Sequence, residues 1–169
     1  MKRKISKSHK FPIYRHTSKI NGKTISRDIV DFSDISIIIA YESEKIIVIS
    51  QNRFPNGTSI EIPSGLVEKD EKPIDAAFRE FKEETGYEAK KMIPFFEFFS
   101  WMGYSTQKVH CFIAKDFKKI SSINLDKNEI ISPKKINFKS FLKLIKSGKI
   151  HEPCTITTAM IFAMKQKLI

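Results

Sequence analysis

Glu80, Glu83 and Glu84 crowd into five positions, directly after Arg79. At about 100° per residue on an α-helix, the three carboxylates fall within an arc of about 100°. Left unpaired, they would repel one another and weaken the helix. A hard divalent cation such as Mg²⁺ or Mn²⁺ favours oxygen ligands and substrate phosphates, and it removes that conflict. Such ions bridge phosphoryl oxygens, neutralise developing charge and lower the pKa of an attacking water. Arg79 lies four residues before Glu83, a spacing that lets its guanidinium orient a carboxylate by a bidentate pair. The bland reading is a solvated Glu/Lys helix face, the usual fate of a charge run.

The surrounding residues weigh against that reading. Residues 65–87, GLVEKDEKPIDAAFREFKEETGY, fit the spacing G-x5-E-x7-R-E-U-x-E-E-x-G-U, with U bulky and apolar. Gly65, Glu71, Arg79, Glu80, Glu83, Glu84 and Gly86 hold the fixed positions, and Phe81 and Tyr87 the apolar ones. Seven fixed identities arise by chance at on the order of 10⁻⁹ per starting position. The segment resembles a complete Nudix box, the signature of hydrolases acting on a nucleoside diphosphate linked to another moiety. Pro73 suits the first position of the helix and Gly86 its end. Ala76, Ala77, Phe81 and Thr85 form its packing flank.

The resemblance extends beyond the box. Gln51-Asn52-Arg53-Phe54 and Glu61-Ile62-Pro63-Ser64-Gly65-Leu66 are similar to runs in the ADP-ribose pyrophosphatase branch, and the likeness spans residues 11–165. It implies metal binding by Glu80, Glu83, Glu84 and the Ser64 carbonyl, with two or three ions. It implies catalysis through Glu83, Glu80 and Arg79, and structural roles for Gly65, Glu71 and Gly86. It also implies a homodimer in which N-terminal elements help complete the partner's site. Arg53 is a candidate phosphate contact or a structural ion pair. Glu61 is a candidate for a substrate hydroxyl or amine, or a strand terminus.

One segment departs from the pattern. Where the branch carries Ser-Pro-Gly, this chain has Ser100-Trp101-Met102-Gly103-Tyr104, and Gln107 stands near where relatives place a glutamate base. A neutral amide is a poor proton acceptor, so Glu97, Glu129 or a box glutamate is left for that role. Trp101 and Tyr104 are candidates for stacking on a base or sugar, or for loop packing.

Residues 11–20 and 23–32 flank Asn21-Gly22, a type I′ hairpin signal. Residues 34–41 and 45–50 read as a strand pair turning at Glu42-Ser43-Glu44, with further strands at 59–62, 92–100 and 108–114. Apolar periodicity predicts helices over 138–147 and 155–167. The expected fold is α/β, an α/β/α sandwich (35–169) preceded by a β-hairpin region (1–34) that serves dimerisation.

A chain of 169 residues with 41% hydrophobic content suits one domain with a sizeable core. No apolar run reaches the ~20 residues of a membrane span, and the basic N-terminus lacks the apolar centre of a secretory signal. Cys111 and Cys154 form no metal or disulfide pattern, which fits packing residues in a reducing cytoplasm. His9, His16, His110 and His151 lack ligand spacing, and His110 reads as a packed strand residue. The net charge of +11 is spread over lysines without an RNA-binding signature. It is equally consistent with nucleotide capture and with lysine-rich composition. The resemblance implies hydrolysis of ADP-ribose or a related nucleoside diphosphate sugar. The alternatives are removal of pyrophosphate from an RNA 5′ end and a non-enzymatic nucleotide-sensing module.

Overall fold

A computed structural model describes residues 2–7, 11–120 and 130–169. Asn21 and Gly22 both take positive φ, 51° and 76°, the backbone that a two-residue hairpin turn demands. They join β2 (Pro12–Ile20) to β3 (Lys23–Val30). A further strand, β1 (Lys2–Lys7), pairs with β2, so the expected hairpin is a three-stranded antiparallel sheet. The lysine-rich composition of β1 hides it in the sequence, because charged residues dilute any strand alternation.

The next strand, β4 (Ile35–Ile39), is apolar at successive positions and is covered on both faces, as such runs require. Here the structure corrects the expected pairing. Only the short β5 (Tyr41–Glu42) turns back onto β6 (Lys45–Arg53), through Ser43 and Glu44 with positive φ. β4 instead pairs in parallel with β10 (Lys108–Lys119) and antiparallel with β8 (Ser64–Leu66). β7 (Gly57–Glu61) pairs with β6, and β9 (Tyr87–Phe99) forms a long hairpin with β10. One four-stranded sheet therefore runs β8-β4-β10-β9. A second contains β5, β6, β7 and β11 (Ile131–Asn137). The last of these carries Pro133 and is not legible as a strand from sequence; it lies at a sheet edge, where proline is tolerated.

Helices cover both sides. Ile38, Ala40 and Ile47 pack with Ala77 and Phe81 of α1 (Pro73–Thr85). Ile37, Ile39, Ile46 and Val48 face α2 (Phe138–Lys146) and α3 (Pro153–Lys165) through Phe138, Phe141 and Phe162. The α/β/α sandwich follows from this odd/even division of adjacent strand residues. α2 is capped by the Asn137 side chain, which accepts from Ser140 N–H, and α3 by Glu152, which accepts from Cys154 and Thr155 N–H. No helix among the described residues is long and apolar enough to cross a membrane.

Candidate active site

The site grows from α1 and the strand before it. Pro73 opens the helix without wasting an N–H, and Gly86 closes it at φ 72°, donating to Lys82 O. Between these ends, Glu84 turns inward with Thr85, Phe81, Ala77 and Ala76. At 3% exposure its carboxylate is buried, and Oε2 accepts from Ser64 N–H at 2.9 Å. That bond ties the helix to β8. One residue on, Gly65 lies directly beneath Glu80. A Cβ there would stand 2.0 Å from Glu80 Cδ, so only glycine leaves room for the carboxylate.

Arg79 sits among the acidic groups. Its fork closes on Glu71, with Nε–Oε1 and Nη2–Oε2 both at 2.9 Å. Nη1 donates to Glu80 at 2.6 Å and to Glu83 at 3.3 Å, and Nη2 reaches Leu66 O at 3.0 Å. The bidentate partner is thus Glu71 on the preceding loop, not the expected Glu83 one helical turn away. The loop path makes the difference: Glu71 Oε2 also accepts from Glu68 N–H at 2.9 Å, which folds the segment back over the helix. The hydrogen bond from Arg79 holds the Glu71 carboxyl below its ordinary range, and the same pairing pushes Arg79 above its own.

A sign follows for pH. A depressed carboxyl contributes stability above its unfolded value, near 4, and loses it as pH falls through the lower folded value. Glu71→Gln should therefore cost about 1–3 kcal/mol at neutral pH. It should also flatten the loss of Tm on acidification, and melting curves from neutral pH down through the carboxylate range test both. An unchanged acid limb would show that this pairing does not carry the dependence.

Across the cleft, Gln51 and Arg53 lie on the same face of β6 by strand alternation. Arg53 grips Glu61 through Nε–Oε1 at 3.0 Å and Nη2–Oε2 at 2.6 Å. Glu61 is 1% exposed while Arg53 reaches solvent, so the guanidinium neutralises a buried carboxylate and still meets the cleft. The hydrogen bond to Glu61 holds Arg53 above its ordinary value. A cleft of about 520 Å³ is lined by Arg53, Ser64, Gly65, Arg79, Glu80 and Glu84, with Gln51 and Glu68 among its other walls. Glu83, 39% exposed at its side chain, stands on the open side of the cluster.

The loop between β9 and β10 is held elsewhere. Gln107 accepts from Ser100 Oγ at 2.9 Å and donates to Ser33 O at 2.7 Å, a dual role that a glutamate cannot fill. Trp101 is 66% exposed and borders a separate cavity with Phe32, Ser100, Ser105 and Gln107. It is not brought to the main cleft. Tyr104 is likewise exposed. Glu97 is engaged by His110 Nδ1 at 2.8 Å and Lys108 Nζ at 3.1 Å, which holds its carboxyl low and makes it a weak base. His110 also reaches Asp34 at 2.9 Å, so it bridges two carboxylates rather than merely packing. Asp34 carries no signal in the sequence, yet its backbone accepts from Val67 N–H and its side chain from Lys108 N–H. Glu129 and His9 lie outside the described residues.

The donor set suits a hard cation. Glu80, Glu83 and Glu84 offer only oxygen, Ser64 lines the same cleft as Glu80 and Glu84, and Gly65 leaves the room that the Glu80 carboxylate occupies. Among the described residues, no three acidic, imidazole or thiol groups already converge as a ligand set, and Arg79 is bonded to both Glu80 and Glu83.

The NUDIX domain profile matches residues 32–151. The chain belongs to the Nudix family. Among curated Nudix relatives, the ADP-ribose pyrophosphatase of Bacillus subtilis (strain 168) is 33% identical over 151 residues, covering 88% of this chain and 82% of that protein. The methanol dehydrogenase activator of Bacillus methanolicus gives the same identity and coverage. A GDP-mannose pyrophosphatase of Salmonella arizonae is 30% identical over 149 residues, covering 80% and 78%. A solved ADP compounds hydrolase superposes with a TM-score of 0.84 at 17% identity, over 99% of this chain and 92% of that one, and it shares the fold. Together these make the chain a Nudix pyrophosphohydrolase with mixed α/β architecture. Nudix hydrolases generally use divalent metals.

Proposed function

We propose that this Nudix enzyme hydrolyses the pyrophosphate of ADP-ribose or a related nucleoside diphosphate sugar, releasing a nucleoside monophosphate and a sugar phosphate. The observation that carries the reading is that Arg53 lines one cleft of about 520 Å³ together with Arg79, Glu80 and Glu84, so cationic and acidic side chains share a single ligand space. The names of the relatives, ADP-ribose pyrophosphatase and GDP-mannose pyrophosphatase, support the substrate class.

Glu80, Glu83, Glu84 and the Ser64 carbonyl would hold Mg²⁺ or Mn²⁺, two or three ions in all. When bound, the metal supplies charge neutralisation at the phosphoryl oxygens and a lowered pKa for water. Arg53 orients a phosphate from the rim while Glu61 fixes its guanidinium in place. Arg79 positions Glu80 and Glu83, and Glu71 holds Arg79. In the reaction, water oxygen bonds to phosphorus as the bridging P–O bond breaks. The water proton passes to Glu83, the box carboxylate with the longest tie to Arg79 and the greatest exposure. With ADP-ribose the products are AMP and ribose 5-phosphate.

A substrate panel with product identification tests the reading. ADP-ribose and other nucleoside diphosphate sugars should be cleaved better than nucleoside triphosphates. Faster cleavage of triphosphorylated RNA than of any nucleotide sugar would reject the assignment, as would binding without turnover. Trp101 is the proposed stacking face for a base that reaches beyond the cleft. Trp101→Ala should then raise KM more than it lowers kcat, by roughly 1–3 kcal/mol in kcat/KM. Unchanged kinetics would assign the ring to loop packing.

The N-terminal sheet is the proposed dimer element. Its β2 and β3 are only half-covered within one chain, and small sheets need a packing surface. Light scattering should report about twice the 19.6 kDa chain mass, and deletion through Phe32 should reduce it; an active monomer at micromolar concentration contradicts the proposal. A cytoplasmic setting is proposed on Cys111 and Cys154, which are both free thiols, as a reducing compartment would keep them.

A further inference from the structure

Gln51 is an expensive residue to keep where it is. Its side chain is 7% exposed, and its Oε1 is sealed from solvent without a hydrogen-bond partner among the described residues. Buried amides are nearly always satisfied, and one that is not costs stability. An apolar side chain of similar volume would fill the same position without that cost. Gln51 is nonetheless part of the cleft wall, on the strand face it shares with Arg53, two residues before it. Its backbone is fully committed to the sheet, with Ser59 opposite on one side and Ile131 on the other, so the amide cannot escape by a shift of the strand.

An atom sealed from solvent is reached only when the amide turns toward the cleft that it lines, and there the partner is best supplied by whatever fills that cleft. A phosphate offers acceptors only and would repel the buried oxygen. A cation would use the oxygen and repel the nitrogen end. A hydroxyl donates and accepts, so it satisfies the amide whichever way the amide is turned. We propose that Gln51 reads a sugar hydroxyl of the bound nucleoside diphosphate sugar and is a specificity-determining residue of this cleft. The proposal rests on the substrate class put forward above. It divides the labour along β6: Arg53 takes charge and Gln51 takes a neutral polar group. The glutamine also favours a sugar-linked diphosphate over inorganic pyrophosphate, which has no such hydroxyl.

The test compares wild type with Gln51→Met, which keeps length and removes both polar ends. Thermal melts without ligand should show a higher Tm for Gln51→Met, because an unmet acceptor has been deleted. Steady-state kinetics with ADP-ribose should show KM raised about 5- to 10-fold and kcat changed less, the signature of a lost neutral hydrogen bond. ADP-ribose analogues lacking one ribose hydroxyl each should include one that penalises wild type by a similar factor and leaves Gln51→Met indifferent. A lower Tm with unchanged KM would show that the amide is structural and overturn the inference. So would an equal penalty for every analogue in both proteins. Failure of wild type to cleave any nucleoside diphosphate sugar removes the substrate class itself, and the inference with it, whereas cleavage with an indifferent Gln51→Met removes the inference alone.

Discussion

Glu83→Gln and Glu84→Gln should each lower turnover by about two orders of magnitude or more at saturating Mg²⁺, with the fold retained. The two losses have different origins. Glu84 is buried and holds β8 through Ser64 N–H, a bond that an amide oxygen can still accept. What an amide in its place would lack is the charge that the proposed role as ligand to a hard cation requires. Glu83 is half-exposed and bonded to Arg79 at 3.3 Å, so its replacement costs little stability and removes the proposed proton acceptor. Circular dichroism and Tm should therefore stay near wild type while kcat falls. Wild-type turnover in both variants would place the reaction elsewhere.

The second large effect is expected from a single methyl group. In Gly65→Ala the new Cβ would overlap the Glu80 carboxylate, 2.0 Å from both Cδ and Oε1. Gly65 does not rely on a left-handed backbone, so alanine itself is not strained. Glu80 is the end of a flexible side chain and must swing away, giving up its 2.6 Å bond to Arg79. We expect a stability change of about 1 kcal/mol or less, and a kcat loss comparable to that of Glu80→Gln. Equal activity of Gly65→Ala and wild type would show that Glu80 is not needed where the structure holds it.

Much of this site is legible in the sequence because its determinants are local. Pro73 and Gly86 bound α1 at the positions their backbone preferences dictate, and helical periodicity gives the packing flank of Ala76, Ala77, Phe81 and Thr85, which Glu84 joins from the acidic run. Partners that depend on tertiary geometry are another matter. The Arg79–Glu71 fork crosses a loop whose path no spacing rule encodes. The Arg53–Glu61 pair depends on the register of β6 against β7, with Arg53 opposite Gly57 and Glu61 opposite Ile49. The corrected pairing of β4 has a similar source. An apolar run announces burial on both faces but does not say which strands provide it. Gln51 is visible in the sequence only as part of a motif, since burial and the lack of a partner are properties of the folded state.

The seam between the end of β3 and the β9–β10 loop has a consequence for the order in which the molecule assembles. Val30 N–H donates to Tyr104 O and Thr106 N–H to Val30 O, while Thr106, Gln107 and Lys108 bond to Asp31, Ser33 and Asp34. The side-chain bonds join positions 74 or 75 apart in sequence, so the loop cannot settle until chain made much earlier has docked. Its amides should exchange with solvent in step with those of β3 rather than with those of the β9–β10 hairpin that carries it. Nicking the chain between β3 and β4 would then loosen Trp101 and its neighbours while leaving the box helix protected. The Trp101 loop and the box helix would then be separate units of local stability, joined to one scaffold at different ends.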